Sequence, residues 1–153
     1  MSLSKVKEHL SHFGLEDNII ELEKSSATVK EAALALGTEE AQIAKTLSFY
    51  VDNKPILIVL KGDAKIDNAK YKSVFKTKCH MIPATEVEAA IGHSIGGVCP
   101  FGINAEATVY LDESLKEFET VYPAAGTSNS AVKLTIEELK RSSNYKEWID
   151  VSK

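Results

Sequence analysis

Ile43-Ala-Lys-Thr-Leu-Ser-Phe-Tyr-Val51, followed four residues later by Ile56-Leu-Ile-Val-Leu60, decides how this chain folds. The first segment is rich in β-formers and alternates in polarity, so its side chains project to opposite faces of a strand. Ile43, Lys45, Leu47, Phe49 and Val51 share one face, and Ala44, Thr46, Ser48 and Tyr50 share the other. The second segment is an unbroken apolar run, the pattern of a strand covered on both faces. Asp52-Asn-Lys-Pro55 supplies the turn between them, and the pair predicts a hairpin at the centre of a sheet. Lys45 is the misfit on the apolar face. Either it snorkels to water from near the strand's start, or it is kept at that position for a ligand.

Working outward, Leu3, Val6, Leu10 and Phe13 recur at helical spacing, and Gly14 follows as a stop. Asn18–Leu22 is a short strand candidate. Thr28-Val-Lys-Glu31 is a capping box for a helix running to Leu36, and Thr38–Gln42 adds a further turn. Beyond the hairpin, Asp67 caps a helix through Phe75, Lys78–Ile82 is a short strand ended by Pro83, and Thr85-Glu-Val-Glu88 opens a helix that stops at Gly92. Strands are expected at Thr108–Leu111, Thr120–Ala124 and Ala131–Leu134. Pro123 suggests a strand end or an edge, Thr135-Ile-Glu-Glu138 opens a last helix, and Trp148–Val151 adds a terminal strand or packs on the sheet. Strands and short helices alternate irregularly, which predicts an α+β fold with one mixed, barrel-like sheet and flanking helices.

The 153 residues, 44% of them hydrophobic, suffice for one well-cored domain, expected to span 1–153. No stretch approaches the roughly 20 apolar residues of a membrane span, and the first ten residues lack a secretory pattern, so a cytoplasmic protein without a membrane partner is expected. Cys79 and Cys99 fit no disulfide framework. Cys79-His80 with His93 and Cys99 lacks a tight ligand pair, so neither metal nor cofactor is expected. A net charge of −4 argues against indiscriminate nucleic-acid binding. Even so, Lys61, Lys65, Lys70, Lys72, Lys76 and Lys78 face only Asp63 and Asp67 over the same stretch. This local excess is either a solvated helix face or a seat for phosphates.

Ile91–Asn104 holds four of the chain's eight glycines, interleaved with Ile95, Val98, Cys99 and Phe101. A loop both glycine-rich and apolar is either a buried turn or a pocket wall whose amides meet a ligand oxygen. Gly126-Thr-Ser-Asn-Ser130 is a polar turn, which taken alone is a solvent turn. Ser94, in Gly92-His-Ser-Ile-Gly96, imitates a nucleophile elbow but follows a helix where that motif needs a strand. Cys99 with His93 is a conceivable nucleophile, though its neighbours Val98, Pro100 and Phe101 point to packing. The acid/base pair or triad of a small-molecule esterase is not evident.

Ile43-Ala-Lys-Thr-Leu47, Gly96-Gly-Val-Cys-Pro-Phe-Gly102 and Ala125-Gly-Thr-Ser-Asn-Ser130 with Leu134-Thr135, in this order, resemble the YbaK/EbsC family. These are free-standing relatives of the editing domain of bacterial prolyl-tRNA synthetases, and the resemblance covers nearly the whole chain. It implies the YbaK/prolyl-tRNA synthetase-associated domain fold and hydrolysis of the ester in mischarged aminoacyl-tRNA. The implied cargo is a wrong small amino acid (Cys, Ala or Ser) on tRNA for proline. The resemblance puts Lys45, Gly97 and Val98 in catalytic positions, with the amides of Gly97 and Val98 as oxyanion donors. Gly96, Cys99, Pro100, Phe101, Gly126, Ser128, Asn129 and Ser130 would bind substrate, and Val98 and Phe101 would set the size of the accepted side chain. Lys61, Lys65, Lys70, Lys72 and Lys76 are candidates for the tRNA backbone, and prolyl-tRNA synthetase is a candidate partner. The alternative is a binding module that recognises the aminoacylated 3′ end without turnover. Thr127, Ser128 and Asn129 replace the basic residues frequent in cysteinyl-tRNA editors, and Tyr122-Pro123 stands where alanine editors tend to carry histidine. The amino acid removed is therefore left open.

Overall fold

Two residues in the left-handed region, Asp52 (φ 52°) and Asn53 (φ 66°), turn the chain between β2 (Ile43–Val51) and β3 (Lys54–Lys61). A two-residue turn of this kind matches the twist of an antiparallel ladder. The turn is tighter than the expected Asp52–Pro55, and Lys54 and Pro55 belong to β3. Pro55 lies opposite Tyr50, whose N–H donates outward to the His80 carbonyl, so the missing proline N–H costs the hairpin nothing.

The computed structural model describes residues 2–153. Around the hairpin a six-stranded mixed sheet curls into a half-barrel in the order β7-β5-β2-β3-β4-β8. The outer strands are β4 (Thr108–Asp112), β5 (Thr120–Pro123), β7 (Leu134–Thr135) and β8 (Glu147–Ile149). The β2/β5, β3/β4 and β4/β8 pairs are parallel, and β2/β3 and β5/β7 antiparallel. β1 (Ile19–Glu21) and β6 (Ser130–Val132) form a separate antiparallel pair.

The period of two sorts the apolar side chains into two cores. Leu57, Val59, Val109 and Leu111 face the larger one, with Val6 and Leu10 of α1 (Ser2–Ser11), Val87 and Ile91 of α4 (Val87–Ile91), and Leu139 of α5 (Ile136–Ser142). Phe49, Ile56, Ile58, Leu60 and Tyr110 face the smaller one, closed by Tyr71 of α3 (Asn68–Phe75). The Thr28–Glu31 capping box starts α2 (Val29–Leu36), Gly37 ends it, and its Ala32 and Ala33 cover Ile43 at the start of β2. Asp67 caps α3 through the amides of Ala69 and Lys70. Asp112, fully buried, accepts from the amides of Ser114 and Val151 and the Ser152 hydroxyl, which ties the end of the chain beside β4.

Three expectations need correction. Lys78–Ile82 is not a regular strand. It meets β2 through the bridge Phe49↔Met81, flanked by Tyr50 N–H to His80 O and Ile82 N–H to Ser48 O, before Pro83 turns it away. The capping box at Thr85 does not form, because Glu86 donates to Pro83 O and enters α4 already in helical geometry, not in the extended geometry that a capping side chain needs. Ala131–Leu134 divides at Lys133, whose N–H donates to Asn18 O, so the chain passes there from the small sheet to the large one.

Candidate active site

β5 accompanies β2 only at Ile43 and Ala44, and the Met81 segment joins β2 only at Phe49. The gap between these contacts opens into a cavity of about 310 Å³, the lower end of the range for small-ligand pockets. Its floor is Ile43–Ser48 of β2. One wall is Ser26–Val29 with Ala32, at the start of α2. Ile95, Gly96 and Val98 of the glycine loop, with Gly96 close against Ala27, and Tyr122, Ala124, Ser130 and Ala131 contribute the rest of the lining. Ile95 and Met81, on the lining, are exposed apolar side chains.

Lys45 lines this cavity, and its Nζ donates to the Ala64 carbonyl. Burial pushes its pKa below the usual lysine value, Asp63 pulls it back up, and Lys65 lowers it further. Desolvation is the leading cause, so the ammonium is held where its charge is under-solvated.

The structure divides the glycine loop. Gly96 (φ 94°) and Val98 reach the cavity. Gly97 lies behind them: a Cβ there would meet the Gly126 carbonyl carbon at 2.4 Å and the Thr127 nitrogen at 2.5 Å, so only hydrogen fits. Its N–H, expected as an oxyanion donor, donates to Ser94 O at 3.0 Å. Cys99, Pro100 and Phe101 are buried, and none lines the cavity. Cys99 and Phe101 sit in the larger core, where His93 Nε2 donates to Phe101 O at 2.6 Å. Cys99 Sγ is 3.6 Å from His93 Nε2, but burial drives the thiol up to about 12 and the imidazole below its usual value. This pair is therefore a packed neutral contact, with no thiolate available as a nucleophile.

The Gly126–Ser130 turn is not a free solvent loop. Ser128 O accepts from the Ser26 hydroxyl, Asn129 O accepts from the Leu22 amide, and Asn129 Nδ2 donates to Leu22 O. These bonds stitch the α2 side of the cavity to the turn. Ser130 alone of the turn lines the cavity, hydrogen-bonded to Thr127 Oγ1, while Gly126 packs on Ser2 and Val6. The lysines divide too. Lys61 pairs with Glu117 and Asp63, and Lys70 with Asp150 and Ser152 O. Lys65, Lys72 and Lys76 are exposed and form no ion pair among the described residues. Among those residues, too, no group of three or more His, Cys, Asp or Glu could hold a metal ion, and no helix is long and apolar enough to cross a membrane.

Thr46 and Ser48 also line the cavity, Thr46 from inside the Ile43–Leu47 motif beside Lys45 and Ser48 from outside any motif. Their signal in the sequence is the polar face Ala44-Thr46-Ser48 on a strand otherwise suited to burial. Ser26 carries no such signal, since it reads as part of a lead-in to a helix cap.

The profile of the aminoacyl-tRNA editing domain matches residues 23–142, which contain every wall of this cavity. The chain belongs to the aminoacyl-tRNA editing domain family. Over its full length this editing domain is 49% identical to the uncharacterized protein YwhH of Bacillus subtilis, covering 98% of it. It is 29% identical over 115 residues to EbsC of Enterococcus faecalis, named as a candidate Cys-tRNA(Pro)/Cys-tRNA(Cys) deacylase, an alignment covering 73% of this chain and 70% of EbsC. A proline–tRNA ligase of Caldicellulosiruptor bescii is 25% identical over 107 residues, 69% of this chain and 18% of the ligase. The editing domain thus spans about a fifth of that ligase. A crystal structure described as a candidate trans-editing enzyme for prolyl-tRNA synthetase superposes with a TM-score of 0.88 at 31% identity, covering 99% of this chain and 97% of that one. The mixed half-barrel with flanking helices is therefore the fold of this family.

Proposed function

We propose that this editing domain is a trans-acting deacylase that hydrolyses mischarged aminoacyl-tRNA, with tRNA(Pro) carrying Cys, Ala or Ser as its substrate and prolyl-tRNA synthetase as the enzyme whose errors it corrects. The observation that carries this reading is the convergence of Lys45, Gly96, Val98 and Ser130, from separate segments, on one cavity of about 310 Å³. An aminoacyl ester is already activated, so a site that positions the ester, admits water and stabilises the developing oxyanion needs no covalent nucleophile. The buried thiol of Cys99 fits that scheme. Lys45 holds a phosphate or ribose oxygen of the terminal nucleotide or orients the ester, and Val98 limits the side chain admitted. Cys99 and Phe101 act behind the loop by fixing its shape. The small volume favours a small cargo.

The test is a panel of charged tRNAs, with Cys-, Ala-, Ser- and Pro-tRNA(Pro), incubated with the protein and assayed for released amino acid. Release of one or more of the wrong amino acids and sparing of Pro is expected. Release of none, with retained binding of the charged 3′ end, would leave a binding module.

A further inference from the structure

Resting on the deacylase reading, we propose that the bare edge of β2 at Thr46 is the subsite for the main-chain atoms of the aminoacyl group. It pairs with the α-amino group and the ester carbonyl as one strand residue pairs with another.

The hydrogen-bonding pattern fixes which groups face the gap. Tyr50 N–H and Ser48 O point away from β3, because they bond His80 O and Ile82 N–H. Groups two residues earlier point the same way, so the N–H and C=O of Thr46 face outward with the N–H of Ser48. β5 has left after Ala44, the bridge to Met81 begins only at Phe49, and no group among the described residues bonds Thr46 N–H or C=O on that side. An interior strand therefore carries an unpaired donor and acceptor facing a cavity, an arrangement that native proteins seldom leave without a partner. A second observation falls on the same residue. Thr46 Oγ1 is buried without a hydrogen-bond partner, and of the four such side-chain atoms among the described residues it alone belongs to a residue lining this cavity.

The chemistry of the occupant follows from the order of groups. In an antiparallel hydrogen-bonded pair, two residues exchange both N–H···O bonds. An aminoacyl ester carries the same complement on one unit: an amino group that donates and a carbonyl oxygen that accepts. Placed against Thr46, its amino group donates to Thr46 O and its carbonyl accepts from Thr46 N–H. That amide is then fixed beside the oxygen on which charge develops, the role Gly97 N–H cannot take while bonded to Ser94 O. Such a subsite reads the α-amino acid without reading its side chain, and leaves selection among cargoes to Val98 and Ala32.

The experiment uses the full chain, ¹⁵N-labelled, with a non-hydrolysable 3′-alanylamino-3′-deoxyadenosine and its propionyl counterpart, which lacks the amino group. Thr46 N–H is expected to exchange rapidly with solvent in the free protein and at least tenfold more slowly with the alanyl compound. The propionyl compound should bind at least tenfold more weakly. Deacylation by the same sample with Thr46 exchange unchanged, or equal binding of the two compounds, overturns the strand-edge subsite and leaves the deacylase reading standing. Absence of deacylation on every charged tRNA, with no response to either compound, overturns both.

Discussion

Gly97 stands so close to Gly126 that a methyl group on its Cα would lie 2.4 Å from the Gly126 carbonyl carbon. The glycine loop and the 126–130 turn therefore hold each other by backbone contact, and Gly96 and Val98 reach the cavity because Gly97 has no side chain.

Gly97→Ala is accordingly expected to lower stability as well as turnover. The obstruction is backbone, which does not swing aside, so a cost of about 1–3 kcal/mol is expected. For a chain of this size that is a fall of roughly 2–12 °C in Tm. Gly14→Ala, at φ 71° but with nothing within 4 Å, is the control for strain without collision. Equal melting shifts in the two variants would show that the close approach is not what confines residue 97.

Lys45→Met should separate stability from activity. Burial lowers the Lys45 pKa, so between the folded value and the unfolded 10.5 the unfolded chain holds more protons. Stability contributed at this site therefore rises with pH across that window, and at pH 7 the charged lysine is a net liability. The variant should be as stable as wild type or more so at pH 7, with the difference shrinking as the pH approaches 10. Deacylation should fall about 10²-fold or more, the scale of removing one positioned electrostatic group. Lys45→Arg should not restore it fully, since a planar guanidinium differs in size and hydration. Thermal melts at pH 7 and 9.5 with single-turnover assays measure both, and full activity in Lys45→Met would remove the lysine from the mechanism.

The lysines should divide by their partners. Neutralising Lys65, Lys72 and Lys76 together should raise KM for charged tRNA and flatten its salt dependence, by a slope of about 0.7–0.9 for each phosphate no longer neutralised. Activity on a minimal aminoacyl-adenosine should be untouched. Lys61→Ala and Lys70→Ala should change tRNA affinity little, because Glu117 and Asp150 already hold their amines. Their effect on stability should also be small, as for most exposed ion pairs. Unchanged KM in the triple variant would leave this face to solubility alone.

His93 gives an acid limit to the loop. It is buried, and burial holds its pKa below the usual value, so as pH falls below 6.5 the unfolded chain takes up a proton that the folded one refuses. Its contribution to stability is therefore present above pH 6.5 and is lost as pH falls toward the folded value. His93→Gln, which retains an N–H for Phe101 O, should lose less stability between pH 7 and pH 5 than wild type does. Parallel urea titrations with identical pH slopes would contradict this.

The hairpin was legible because alternation and an apolar run are local signals, and β2 matches its expected bounds. What was not legible depended on the approach of distant chain. Thr85 has the composition of a cap, but the turn at Pro83 sets the backbone before the side chain can act. The polar turn at 126–130 looked solvated because nothing in its own sequence announces Leu22 and Ser26 as partners. At the site, Lys45, Gly96 and Val98 stand out through motif resemblance and do meet at the cavity. Thr46 stands inside the Ile43–Leu47 motif and on the polar face of β2, but its bare edge is set by what β5 and the Met81 segment leave uncovered, which is not a local signal.

The cavity takes its walls from separate lengths of chain, and this divides the labour between them. Lys45 and the Thr46 edge belong to a hairpin laced by a continuous ladder, whereas Val98 rides on a loop and Ala32 on a short helix. A single change at Val98 or Ala32 resizes the space for a cargo side chain and leaves the ladder intact. On the deacylase reading, such a change shifts the choice of cargo while the groups that position the ester stay where the hairpin holds them.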